Sequence, residues 1–206
     1  LRMILRLGGG DLNALVAFAG FGCGILTGIY FLKKGFTLGR AYNQTTASGL
    51  VLPFIFLVLA ALAFFTTLFI ASNEGPGSQH APFLISLGAG LLVGIISQRT
   101  RLCIAGGIRD VLLMRDFHLV SGFAGVLVAA IIMNLIFHKF NLGFTEQPIA
   151  HTDHLWNFLG LYVVGLGSTF LGGCPLRQTV LAGQGNIDSA ATIIGFIVGA
   201  ALAHNF

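Results

Sequence analysis

Two cysteines of the sequence stand in segments rich in glycine and arginine. Cys174 follows a pair of glycines and precedes Pro175. Proline is favoured at the first position of a helix, so Cys174 is predicted to lie at the N-terminus of a short helix. Such an end carries free N–H groups and attracts anions. We therefore expect Cys174, Arg177 and Gln178 to contact an anion; a thiol that only fills apolar space is the alternative.

Cys103 occupies the same place as Cys174 in an apparent internal repeat. Each cysteine stands nine residues after a glycine, Gly94 or Gly165, and an apolar helical segment lies upstream of both. Many transporters repeat a helix and a short segment, with the site where interrupted helices meet. The shared position predicts a functional role for Cys103. Arg101, just before it, is a second cationic candidate for the pathway, or else one charge of a basic helix end.

A weaker third copy of the repeat runs from Gly28 to Thr37, where the cysteine is missing. Arg40 then matches Arg177 in position, which makes Arg40 a further candidate for the anion pathway. Elsewhere, Arg109 and Asp110 are neighbours and are predicted to form a structural ion pair or to anchor a loop.

The composition identifies the class of protein that must position these residues. Of the 206 residues, 55% are hydrophobic and 9% are charged, and the mean hydropathy is +0.89. A soluble domain has about 25% charged residues. These values exclude a cytosolic enzyme, a disordered protein and a nucleic-acid-binding domain. The three cysteines include no CxxC pair, so neither a disulfide framework nor a metal site is predicted, and no cofactor.

Apolar segments long enough to cross a bilayer predict an all-α polytopic membrane protein. Six segments are candidates for membrane spans: 12–32, 50–71, 82–97, 118–138, 155–173 and 187–203. Two shorter pieces, 102–114 and 174–183, are predicted to re-enter the membrane and return to the side they left. The whole chain reads as a single transmembrane transport domain over residues 1–206, and its two ends suggest a segment of a longer protein.

Basic residues predict the orientation of these spans. Eight of them fall on one side, which is therefore expected to be cytoplasmic: Lys33, Lys34, Arg40, Arg99, Arg101, Arg109, Arg115 and Arg177. Arg2, Arg6 and Lys139 fall on the other side.

Glycines recur at four-residue spacing, which predicts close packing of helix backbones in lipid. The stripes are Gly20/Gly24/Gly28, Gly90/Gly94 and Gly195/Gly199. Cys23 lies within the first stripe and is expected to be a packing residue.

Three segments, 98–110, 172–188 and 36–41, resemble the YeeE/YedE membrane proteins, most closely the branch associated with selenium metabolism. The resemblance implies a bacterial or archaeal inner-membrane importer of thiosulfate or a related anion, with short re-entrant helices that meet at a constriction. Cys103 and Cys174 fall on motif positions where the family's thiols pass the anion along by hydrogen bonds. A small sulfur-carrier protein of the TusA type is an implied partner.

The function expected from the sequence is import of a small sulfur- or selenium-containing anion across the bilayer, by recognition and without covalent turnover. A thiol is polarizable and a weak donor, so it can hold a terminal sulfur or selenium atom loosely. A membrane thiol oxidoreductase or sulfur transferase that uses Cys103 and Cys174 is the main alternative. A structural membrane subunit whose cysteines are filler is the third.

Overall fold

The computed structural model describes residues 2–39, 46–66, 81–145, 147 and 152–205. Apart from one isolated bridge between Asp11 and Gly143, the regular structure of these residues is α-helical. The helices are α1 (Arg2–Gly8), α2 (Asn13–Lys33), α3 (Thr46–Phe65), α4 (Phe83–Thr100), α5 (Ile104–Met114), α6 (His118–Ile136), α7 (His154–Phe170), α8 (Pro175–Gly183) and α9 (Ile187–Asn205).

The helices confirm the predicted all-α membrane fold. Each predicted span contains one helix, and α5 and α8 coincide with the two predicted short pieces. Helix α1 was not predicted, since its seven residues are too few for a span.

The predicted number of six spans is not confirmed. Among the described residues, three segments can cross a membrane by length and apolar composition: Asn13–Lys33, Phe83–Met114 and His118–Ile136. A fourth is possible if α7 and α8, which are bent by 44° at their break, form one span. The apolar parts of α3 and α9 among the described residues are shorter than a bilayer-spanning helix requires.

The chain divides into two compact units. The first comprises Leu1–Gly39 and Leu102–Leu176, and the second comprises Arg40–Arg101 and Arg177–Phe206. The first unit therefore contains α1, α2, α5, α6, α7 and the start of α8. Its core is an apolar cluster in which Phe21 and Ile25 are fully buried and to which Cys103 and Cys174 also belong.

Glycines of α2 create the principal helix contact of the first unit. A Cβ atom at Gly20 or Gly24 would collide with the carbonyl oxygen of Phe158 or Tyr162 on α7, and Gly28 likewise faces α7. Because the contacts advance in the same direction along both helices, α2 and α7 run parallel. The packing predicted for this stripe is confirmed.

The other small-residue predictions are wrong. A Cβ at Gly90, Gly94, Gly195 or Gly199 would meet no heavy atom within 4 Å among the described residues. Cys23 is exposed rather than packed. It lies one residue, about 100° of helix rotation, away from Gly24 and so points off the face that contacts α7.

Candidate functional site

Cys103 is the N-terminal cap of α5. Its backbone is extended, with φ −148° and ψ 109°, and its Sγ accepts a hydrogen bond from the Gly106 N–H at 3.3 Å. The thiol thus does what a serine or threonine oxygen usually does at this position, satisfying one of the free N–H groups of the first turn. Cys103 is 6% exposed.

Cys174 immediately precedes α8, whose first residue is Pro175. The chain turns into this position at Gly172, which has a φ of +73° that favours glycine. The predicted position of Cys174 at a helix N-terminus is confirmed.

The two cysteines meet inside the first unit. The backbone N–H of Cys174 donates to the Sγ of Cys103 at 3.3 Å. Both are reduced, and Cys174 is only 3% exposed. The starts of α5 and α8 are therefore in direct contact through the Cys103 sulfur.

A cavity of about 530 Å³ lies beside Cys174 within the first unit, and we call it the thiol cavity. Apolar side chains of α2 and α7 form much of its wall. Its polar groups come from Cys174, from Asn157 on α7 and from Arg2 and Arg6 on α1. Two arginines and Cys174 thus share one space that is large enough for a small anion.

Arg6 is oriented by a buried carboxylate. Its Nε donates to Asp11 at 2.6 Å, and its terminal nitrogen lies 2.5 Å from the same oxygen. The other oxygen of Asp11 accepts from the backbone N–H and the side-chain amide of Asn13, at 2.9 and 3.0 Å. Asp11 is 4% exposed and Asn13 is fully buried, so this network fixes Arg6 firmly.

Sequence reasoning did not include Arg2 or Arg6 in the site. The two arginines were only counted among the three basic residues on the side opposite the predicted cytoplasmic face. One signal could have identified them: they are four residues apart in a helical segment, so their side chains share one helix face.

The remaining predicted site residues belong to the second unit or lie outside the described residues. Arg101 is exposed and ends α4 in a left-handed conformation, with φ 53°. Arg177 is half-buried in the first turn of α8, and Gln178 beside it is 2% exposed. Arg40 lies outside the described residues. The roles predicted for these four residues remain predictions.

The ion pair predicted between Arg109 and Asp110 is confirmed, and α9 has a side-chain cap. Arg109 lies 3.3 Å from the carboxylate of Asp110, as expected of a local ion pair. Asn186 caps α9, since its side-chain oxygen accepts from the Ser189 N–H at 2.9 Å.

Comparison with known proteins identifies the family. The profile of the Sulphur transport family matches residues 99–206, more than half of the chain, and includes both cysteine segments. The chain belongs to this family. The resemblance to YeeE/YedE proteins is thereby confirmed, whereas nothing in the comparisons supports the selenium-metabolism branch.

Two relatives are named as thiosulfate transporters. The thiosulfate transporter TsuA of Escherichia coli is 28% identical over 116 residues, which are 56% of this chain and 32% of that protein. The TsuA protein of Spirochaeta thermophila is 33% identical over 96 residues, 47% of this chain and 28% of that protein. The matched segment thus spans about a third of each relative. No solved structure matches the chain significantly.

Proposed function

We propose that this chain forms part of a multi-pass importer of a small sulfur-containing anion in the cytoplasmic membrane of a bacterium or archaeon, with thiosulfate as the first candidate substrate. One observation carries the proposal: Cys174, whose backbone N–H donates to the Cys103 thiol, lines a cavity that Arg2 and Arg6 also line. The names of the two relatives support the choice of substrate.

The two kinds of polar group suit the two ends of thiosulfate. Arginines attract the oxygen atoms, to which they donate charge-assisted hydrogen bonds. The terminal sulfur is soft and polarizable, and a thiol offers it a weak hydrogen bond and favourable dispersion. Weak binding of this end is an advantage, since a permeation site must release what it binds. A selenium-containing anion would be bound by the same chemistry.

Helices α5 and α8 are proposed to re-enter the membrane, so that Cys103 and Cys174 lie at depth. Unwound backbone at such depth is tolerated where protein or a water-filled cavity surrounds it. Arg101, Arg177, Gln178 and Arg40 are proposed to continue the pathway towards the cytoplasm. There a carrier protein of the TusA type would receive the sulfur. Consumption of the imported sulfur inside the cell would drive uptake.

A membrane thiol oxidoreductase or sulfur transferase is the second candidate, and the direct contact between Cys174 and the Cys103 thiol favours it. Its chemistry requires a covalent sulfur intermediate on Cys103 or Cys174, which pure transport does not. The two functions therefore predict different masses for the protein during turnover.

Uptake by proteoliposomes that contain the full-length protein tests the proposal. We expect labelled thiosulfate to accumulate, unlabelled thiosulfate to compete more strongly than sulfate, and the protein to keep its mass. Competition by selenite and selenate measures acceptance of selenium. Protein-free liposomes are the control. Absence of uptake would refute the importer, and a persulfide on Cys174 during turnover would favour the sulfur transferase.

A further inference from the structure

Asp11 is a buried carboxylate whose ion-pair partner, Arg6, lines the thiol cavity. Asp11 is 4% exposed and lies between α1 and α2. One of its oxygens accepts from the Nε of Arg6 and also lies next to a terminal nitrogen of that guanidinium. Arg6 in turn lines the thiol cavity. Because a buried charge is stable only while it is paired, the protonation of Asp11 depends on what else Arg6 contacts.

The side chain of Asn13 leaves one buried acceptor next to this carboxylate without a donor. Its Nδ2 donates to Asp11 and to the Phe144 carbonyl, at 3.0 and 2.8 Å. Its Oδ1 is buried and has no hydrogen-bond partner among the described residues. Buried polar atoms are nearly always paired, so an empty acceptor needs an explanation. A proton on Asp11 would turn the carboxylate into a donor, and Oδ1 belongs to the same amide that Asp11 already contacts.

A second cavity of the first unit connects Asp11 with water. Its volume is about 360 Å³, and Asp11 lies in its wall together with Arg6. Lys139, which follows α6, lines the same cavity and is exposed. Cys174 lines the thiol cavity instead. A proton can thus reach Asp11 from a space other than the one proposed for the terminal sulfur of the anion.

The other charged and titratable groups around Asp11 come from α1, the segment after α6 and the start of α7. Arg2 and Lys139 line the second cavity, and the exposed His138 precedes Lys139. His154 of α7 lies against the ring of Phe144, with 5.5 Å between the ring centroids. Histidine is the side chain that usually titrates near neutral pH, so both histidines require control variants in any pH experiment.

We propose that Asp11 is a proton-coupling site, which takes up one proton when a divalent sulfur oxyanion occupies the thiol cavity beside Arg6 and so lets the anion and the proton enter together. This inference rests on the proposed function. The anion brings two negative charges to the guanidinium that neutralises Asp11, and a nearby like charge favours the neutral form of a carboxyl group. The carboxylate gains a proton and forms one O–H bond, with no redox step. Because linkage is reciprocal, the proton strengthens anion binding as much as the anion strengthens proton binding.

Uptake of a proton also suits the energetics of import. A dianion that enters a cell is opposed by the negative-inside membrane potential, which acts on both of its charges. One accompanying proton reduces the net charge that crosses from two to one. An inward proton gradient would then add to the drive that consumption of the sulfur supplies.

Proton binding by the purified full-length protein tests the coupling without a membrane. Labelled thiosulfate is added to the protein in detergent and weak buffer, and a pH indicator reports the protons removed from solution. We expect up to about one proton to be taken up for each anion bound. Asp11→Asn should bind thiosulfate without taking up a proton, because asparagine resembles the neutral form of the carboxyl group.

Asp116→Asn is the matched control, since Asp116 is an exposed carboxylate of the same unit. It should take up as many protons as the wild-type protein. Thiosulfate binding without proton uptake in the wild-type protein would overturn the coupling and leave the importer intact. Absence of thiosulfate binding would refute the proposed function and the coupling with it.

The pH dependence of uptake by proteoliposomes provides a second test. Since the proton favours the anion, the half-saturation concentration for thiosulfate should fall as the pH falls from about 8 to about 6, by up to about tenfold per pH unit for one linked proton. His138→Gln and His154→Gln should keep the wild-type slope, whereas Asp11→Asn should be insensitive to pH. A flat wild-type profile, or a slope lost in His154→Gln, would overturn the proposal even if Asp11→Asn folds poorly.

Proteoliposomes that contain an internal pH indicator show whether the proton enters with the anion. Addition of thiosulfate outside should acidify the interior of wild-type proteoliposomes and of those made with Asp116→Asn. The interior pH should stay constant with Asp11→Asn. A constant interior pH during thiosulfate uptake by the wild-type protein would refute entry of the proton.

Discussion

Substitution of Gly24 by alanine tests whether the contact between α2 and α7 determines the shape of the site. The new Cβ would collide with the Tyr162 oxygen and lie 2.8 Å from the Leu166 nitrogen. Both are backbone atoms, which cannot rotate away. Ordinary contact begins at 3.4 Å, so the helices must separate by roughly 0.6 Å at Leu166 alone, an overpacking that typically costs about 1–3 kcal/mol.

Gly22 provides the control on the same helix. A Cβ there would meet no heavy atom within 4 Å among the described residues. Gly22→Ala should therefore gain only helix propensity, about 0.5–1 kcal/mol. Both alanines gain helix propensity, so this gain cancels, and the stabilities of the two variants should differ by the overpacking cost alone, about 2 kcal/mol.

Thermal unfolding of the purified proteins in detergent measures this difference, which corresponds to about 4 °C or more in Tm. Thiosulfate uptake should fall for Gly24→Ala and not for Gly22→Ala, because α2 and α7 both line the thiol cavity. If both variants have the same Tm and the same uptake, the close contact of the helices does not position the site and the reasoning is refuted.

Three further substitutions distinguish residues whose charge orients a neighbouring side chain from residues whose charge attracts the substrate. Asp11→Asn keeps the size of the side chain but leaves Arg6 without its anionic partner. The substitution should therefore lower the free energy of unfolding by about 1–3 kcal/mol, measured as a fall in Tm. An unchanged Tm would contradict the buried network. Arg109→Gln breaks an ion pair whose arginine is 38% exposed, so it should change stability by less than about 1 kcal/mol and leave uptake intact. Arg177→Gln should raise the half-saturation concentration while membrane abundance stays constant, and a variant with normal affinity for thiosulfate would remove Arg177 from the pathway.

The positions of the helices and the location of Cys174 at a helix N-terminus could be predicted, because both depend on local sequence patterns. Apolar length located the helices, and Pro175 after Cys174 located the start of α8. The repeat suggested that Cys103 resembles Cys174, and each of them immediately precedes a short helix. The same comparison could also have predicted that Cys103 caps α5.

The cavities of the first unit could not be predicted, because they depend on contacts between distant segments. Arg2 and Lys139 are 137 positions apart in the sequence, and only the backbone bonds between the segment that ends α1 and the segment that follows α6 bring them to one cavity. The exposure of Cys23 was missed for a related reason. The glycine stripe of α2 predicted a packed helix face, but a stripe does not show which neighbouring residues lie off that face.

The contribution of the two buried thiols to substrate selection is the central claim. Serine keeps a hydrogen-bond donor and is a favourable helix cap, so Cys103→Ser and Cys174→Ser should fold normally. Both lose the soft sulfur that is proposed to contact the terminal sulfur of thiosulfate. Cys23→Ser makes the same change at an exposed cysteine and serves as the control.

The most direct measurement is the ratio of thiosulfate uptake to sulfate uptake in proteoliposomes made from these three variants and the wild-type protein. We predict that the ratio falls by about tenfold, equivalent to about 1.4 kcal/mol, in Cys103→Ser and in Cys174→Ser. It should stay at the wild-type value in Cys23→Ser. A wild-type ratio in both buried-cysteine variants, or an equal fall in Cys23→Ser, would contradict selection by the thiol pair.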